Sequence, residues 1–185
     1  MNIAYPLTET VEIDGETYRL DLSFDNVLRL IDMLNDKDLN DIIQIETGLY
    51  MLIGVDLEYP INKKEEILHH IFRETIGKEV EENIPVDIEG NPMPTKEEEQ
   101  VYSIKQDASY IYASFYQDYG IDLYECQGKL HWEKFKALLT GLKPDTKFKE
   151  VINIRTMELP SGKGSEKQRK QIKELKEYYA LKGGD

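Results

Sequence analysis

At 185 residues the chain has room for one packed core, or one core and a tail, and its 40% apolar and 10% aromatic content excludes wholesale disorder. Its net charge of −13 is lodged in residues 1–100, which carry 8 basic and 24 acidic groups, whereas residues 101–185 carry 15 and 12. Such a field repels free nucleic acid and favours a basic protein partner or head-to-tail self-association.

In chain order, residues 11–20 alternate apolar and polar about Asp14-Gly15, a favoured two-residue hairpin turn, and predict a small β-hairpin over residues 10–21. Ser23 is placed to cap a helix whose Phe24, Val27, Leu28, Ile31 and Leu34 fall on one face. Residues 39–55 place Ile42, Ile43, Ile45, Leu49, Leu52 and Ile53 around much of a helical surface, which predicts the most buried helix, with Gly48 as its weak point. A third amphipathic helix follows Asn62 and ends near Gly77.

Pro85, Gly90, Asn91, Pro92 and Pro94 make residues 83–94 a breaker-rich loop. Thr95 with Glu98 matches a capping box, opening a helix of up to about 24 residues that ends before Gly120. Ile104, Ala108, Ile111 and Phe115 form its apolar stripe, with Tyr102, Tyr110, Tyr112, Tyr116 and Tyr119 beside and away from it. Trp132, Phe135, Leu138 and Leu139 predict a helix over residues 131–142, and Asp145 is placed to cap another that carries Phe148, Val151 and Ile152. Residues 161–165 have linker composition, and the Lys-rich remainder predicts a marginal helical tail. The expected fold is therefore mainly α: a single helical domain over residues 1–160 with a small N-terminal β-hairpin, then a linker and flexible C-terminal helix over 161–185.

No apolar run approaches the roughly 18–20 residues that span a bilayer, and no secretory leader opens the chain, so no membrane role and a cytoplasmic location are expected. Catalytic and metal chemistry find little support. Adjacent His69 and His70 point about 100° apart on a helix, and His70 with Glu74 lacks a third ligand at a meaningful interval. Cys126 has no cysteine partner, and with His131 nearby it is a packing residue before it is a nucleophile. Gly162-Lys163-Gly164-Ser165 lacks the spacing of a phosphate-binding loop. The expectation is a non-enzymatic protein without cofactor or metal.

Residues 106–115 (Gln-Asp-Ala-Ser-Tyr-Ile-Tyr-Ala-Ser-Phe), Tyr119-Gly120-Ile121-Asp122-Leu123, Gly128-Lys129-Leu130-His131-Trp132 and Ile154-Arg155-Thr156-Met157 together resemble a family of tailed-phage and prophage proteins from Gram-positive hosts. The resemblance extends to Tyr5-Pro6-Leu7 and the N-terminal hairpin and first helix, leaving out the loop and the tail. It implies a product of the tail-gene cluster, similar to siphovirus tail assembly chaperones that keep the tape-measure protein soluble in the host cytoplasm until the tube polymerises around it. It carries no catalytic residue. Tyr110, Tyr112, Tyr116 and Tyr119 are the candidate partner interface, because tyrosine buries large area while keeping a polar tip. Asp107, Trp132 and Arg155 are read as structural: Arg155 has the fork to pair a carboxylate, and Trp132 needs a buried pocket with one acceptor. The alternative function is an acidic DNA mimic that inhibits a basic host protein.

Overall fold

The computed structural model describes residues 3–77, 101–161 and 165–182. The breaker-rich loop, the Thr95 capping box and most of the linker lie outside these residues. Among them are seven α-helices and one two-stranded antiparallel hairpin, so the protein is mainly α, as its periodicity predicts. The chain forms two compact units, Met1–Pro94 with Cys126–Ala137, and Thr95–Glu125 with Leu138–Asp185.

In the first unit, β1 (Thr10–Ile13) pairs with β2 (Glu16–Arg19) in the register Val11 to Tyr18 and Ile13 to Glu16. Asp14 and Gly15 both take positive φ, 51° and 85°, as the tight hairpin turn demands. Asp14 is tied to α3 (Ile61–Ile71) by an ion pair with Lys63.

Helix α1 (Phe24–Leu34) starts at Ser23, whose hydroxyl donates to Asp21 Oδ1 at 2.6 Å and makes no bond to the helix amides, so Ser23 occupies the cap position without capping. Its buried side is Phe24, Asn26, Val27 and Leu30, turned from the expected Leu28, Ile31 and Leu34 face. Asn26 explains the turn: its Nδ2 donates to Asp21 O at 2.9 Å and to Met51 O at 2.8 Å. It thereby satisfies one of the orphan carbonyls at the end of α2 (Asp41–Ile53), while Asp21 N takes Leu52 O.

Helix α2 is capped by Asn40, which accepts from Ile43 N at 2.9 Å, and closed by Gly54 in the left-handed conformation. It is not the most buried helix. Only Gly48, Leu49 and Leu52 are buried, whereas Ile42 and Ile43 are 55% and 45% exposed, because no described element covers that side. Gly48 is a packing contact, not a weak point: an added Cβ would lie 3.2 Å from Leu30 Cδ1 and 3.3 Å from Leu68 Cδ2. Helix α3 continues as a π-helical turn, Phe72–Ile76, to Gly77.

The segment Cys126–Ala137 completes this unit by backbone pairing. Trp132 N donates to Leu22 O at 2.7 Å, and Phe24 N to Leu130 O at 2.8 Å. Phe135 then stacks on Phe24 with centroids 4.9 Å apart, and Trp132 on Phe135 at 5.8 Å.

In the second unit, α4 (Ala108–Tyr119) is shorter than the capping box suggests, since residues 104–107 are turns and Asp107 holds the N-cap position. Helix α5 (Trp132–Gly141) gives its first half to the first unit and Leu138 onward to the second. Helix α6 (Lys147–Thr156) begins after Thr146, not Asp145; the Thr146 hydroxyl donates to Lys143 O at 2.7 Å. Helix α7 (Glu166–Tyr178) has no buried residue. Ile111, Phe115, Leu139, Leu142, Phe148 and Val151 make the apolar core.

Candidate partner-binding surface

Helix α4 buries Ile111, Ser114 and Phe115 on one side, which places Tyr112 and Tyr116, four residues apart, together on another. The buried Ser114 Oγ accepts from Phe148 N at 2.9 Å and fixes α4 against the start of α6. Gly120, left-handed at φ 67°, ends the helix and turns the chain so that Asp122 and Tyr124 come back beside it.

Asp122 organises this returning loop. Its Oδ2 accepts the Tyr112 hydroxyl at 3.1 Å and its Oδ1 accepts Tyr124 N at 2.9 Å, a side chain mimicking a backbone turn. Donation to Asp122 holds the Tyr112 phenol above its ordinary value of 10.0. The ring of Tyr112 lies 5.4 Å from Tyr124 and 6.4 Å from Tyr116. With Tyr116 59% and Tyr124 72% exposed, three rings form one aromatic surface open to solvent.

The four tyrosines singled out by sequence therefore take different places. Tyr112 and Tyr116 join the surface. Tyr110 meets the edge of Tyr179, just beyond α7, at 6.0 Å, and Tyr119 packs on Phe115 while its hydroxyl donates to Leu138 O at 3.0 Å. Sequence reasoning quoted Asp122 only as part of the resembling motif, with no role, and did not single out Tyr124. The signal was an aspartate two residues ahead of an aromatic, directly after a helix-ending glycine.

Asp107 and Arg155 meet as a buried fork: Nη1 to Oδ2 at 2.6 Å and Nη2 to Oδ1 at 2.8 Å, with side chains 1% and 11% exposed. Arg155 also donates to Val101 O and Tyr179 O, joining the chain before α4, helix α6 and the end of α7. Trp132 is buried as expected, but Nε1 has no partner among the described residues, so the expected acceptor is not there. Its indole is placed by ring stacking on Phe135.

His69 and His70 are both exposed on α3. His131 spends its ring on the backbone, Nε2 against Thr8 O at 3.2 Å and Nδ1 accepting Glu133 N at 3.1 Å. Among the described residues, no three His, Cys, Asp or Glu gather as metal ligands, and no helix is long and apolar enough to cross a membrane.

Fold and surface together define a small, mainly helical protein with an exposed tyrosine face. The chain belongs to the Bacteriophage Gp15 protein family, which it matches over residues 3–181. No curated protein and no solved structure matches it.

Proposed function

We propose that the protein is a non-enzymatic tail assembly chaperone, active in the host cytoplasm, that binds the phage tape-measure protein and keeps it soluble before tail-tube polymerisation. The observation that carries this is the surface of Tyr112, Tyr116 and Tyr124, two of them mostly exposed and the third pinned by Asp122. Rigid tyrosines bury large area at low entropic cost, which suits a groove or face that takes a partner's helix. The chain's charge of −13 would keep a complex with an apolar helix from aggregating.

Co-expression with the tape-measure protein of the same phage tests this. Rescue of tape-measure solubility and co-elution on sizing are expected. The paired substitution Tyr116→Ala and Tyr124→Ala weakens binding about tenfold or more, the scale of losing an interface hot spot. A tape measure that stays insoluble and unbound refutes the chaperone reading, whereas full rescue by the paired variant refutes the tyrosine surface.

A further inference from the structure

Among the described residues one side of α2 is left uncovered and has a matching element elsewhere in the chain, and we propose that α2 of one copy binds α7 of another. The contact involves none of the tyrosines of the partner surface, so it stands or fails apart from the chaperone reading.

At about 100° per residue, Ile42, Glu46, Tyr50 and Ile53 share an arc of about 80° on the side of α2 away from its buried glycine, with Ile43 at the arc's edge. Ile42, Ile43 and Tyr50 are 55%, 45% and 54% exposed. Isoleucine is a weaker helix former than Glu or Lys, so its exposure there does not serve helix stability. Asp41 and Glu46 give α2 two acidic groups and no basic one, Glu46 being paired at 3.1 Å with Lys64 of α3, and Asp36 and Asp38 stand just before the helix.

Helix α7 is the complement. It has 13 residues, as α2 has, so each is about 19 Å long. It carries five basic and three acidic residues and buries none. Leu175 and Tyr178, three apart on neighbouring positions of one edge, are 44% and 76% exposed. The helix is nonetheless held in place at its far end. Arg155 Nε takes Tyr179 O at 2.6 Å, and Gln106 pairs with both backbone groups of Lys182 at 3.0 and 2.9 Å. Two short helices, each with an apolar edge and each bearing the opposite charge, fit one another better than either fits itself.

The contact joins two different faces, so it either forms reciprocally and closes a twofold dimer or repeats from copy to copy into a ring or an open chain. One helix pair buries less than the about 1,200 Å² of a stable interface, so assembly is weak, salt-sensitive and dependent on concentration.

Sedimentation velocity on the full chain tests it, with Ile43→Asp to spoil α2, Leu175→Glu to spoil α7, and far-UV circular dichroism to show that both variants keep their helices. Wild type associates with rising concentration, and each variant alone associates at least about tenfold more weakly. An equal mixture of the two variants retains one intact α2 and one intact α7, and stops at a heterodimer. A wild type that stays monomeric at about 100 μM overturns the proposal, that concentration being far above a micromolar Kd. So does assembly that only one of the variants weakens, or a mixture that stays monomeric.

Discussion

Arg155→Ala tests the buried fork. The wild-type guanidinium makes four hydrogen bonds, two to Asp107 and one each to Val101 O and Tyr179 O. Truncation leaves the Asp107 carboxylate, 1% exposed, with Ser103 N at 3.1 Å in place of its cation. Removing one partner of a buried ion pair costs about 3–5 kcal/mol, because the survivor has lost both water and counter-charge. For a chain of this size that corresponds to a fall of about 6–20 °C in Tm. The second unit holds eight of the 12 tyrosines and the first holds Trp132, so near-ultraviolet tyrosine dichroism in a urea titration reports the damaged unit and indole fluorescence the other. The tyrosine midpoint should drop steeply. A double variant, Asp107→Leu with Arg155→Met, should recover most of the loss, since nothing charged is then left buried. A cost below about 1 kcal/mol for Arg155→Ala would refute the reasoning, because it would place the pair with exposed ones.

Gly48→Val should destabilise by about 1–3 kcal/mol in urea titration, as its methyls would drive into Leu30 and Leu68. Gly48→Ala should stay within about 1 kcal/mol of wild type, because a gain in helix propensity opposes the same crowding. Asn26→Ala should cost about 1–3 kcal/mol by leaving Asp21 O and Met51 O without their donor. Asp118 accepts from the side chain and backbone N–H of Lys143, which hold its carboxyl below the ordinary 3.8. Its folded value is the lower one, so its contribution is complete above 3.8 and lost as pH falls through that lower value. Unfolding of Asp118→Asn should accordingly depend less steeply on pH in the acid range than that of wild type.

The hairpin was legible because Asp14-Gly15 demands positive φ at both residues and little else satisfies it. Most helices were legible from apolar periodicity, and the end at Gly120 from the left-handed cap, whereas the run over residues 39–55 passed through Gly54, which closes α2 in the same conformation. Which side of a helix is buried was harder to read. Asn26 sits at a polar position of α1 yet is 5% exposed, because one of the two carbonyls it satisfies, Met51 O, comes from α2, 25 residues away. The isoleucines of α2 read as core because hydropathy cannot tell a covered side from an uncovered one. Within the candidate surface, helical spacing brought Tyr112 and Tyr116 together, but it is silent about Tyr124, which arrives through a loop turned by Gly120 and Asp122. Arg155 invited a carboxylate partner, and only the fold shows that Asp107, 48 residues earlier, is the one.

The return of Cys126–Ala137 to the first unit also sets a timetable for synthesis. Phe24 leaves the ribosome about 110 residues before its stacking partner Phe135, an interval of roughly 5–20 s at common elongation rates. Through that interval the nascent N-terminal helices have their sequence but not their last ring pair or the backbone pairing of residues 22–24 with 130–132. A fragment ending anywhere before residue 126 would be caught permanently at that stage, so the first unit is not a product of its N-terminal segment alone.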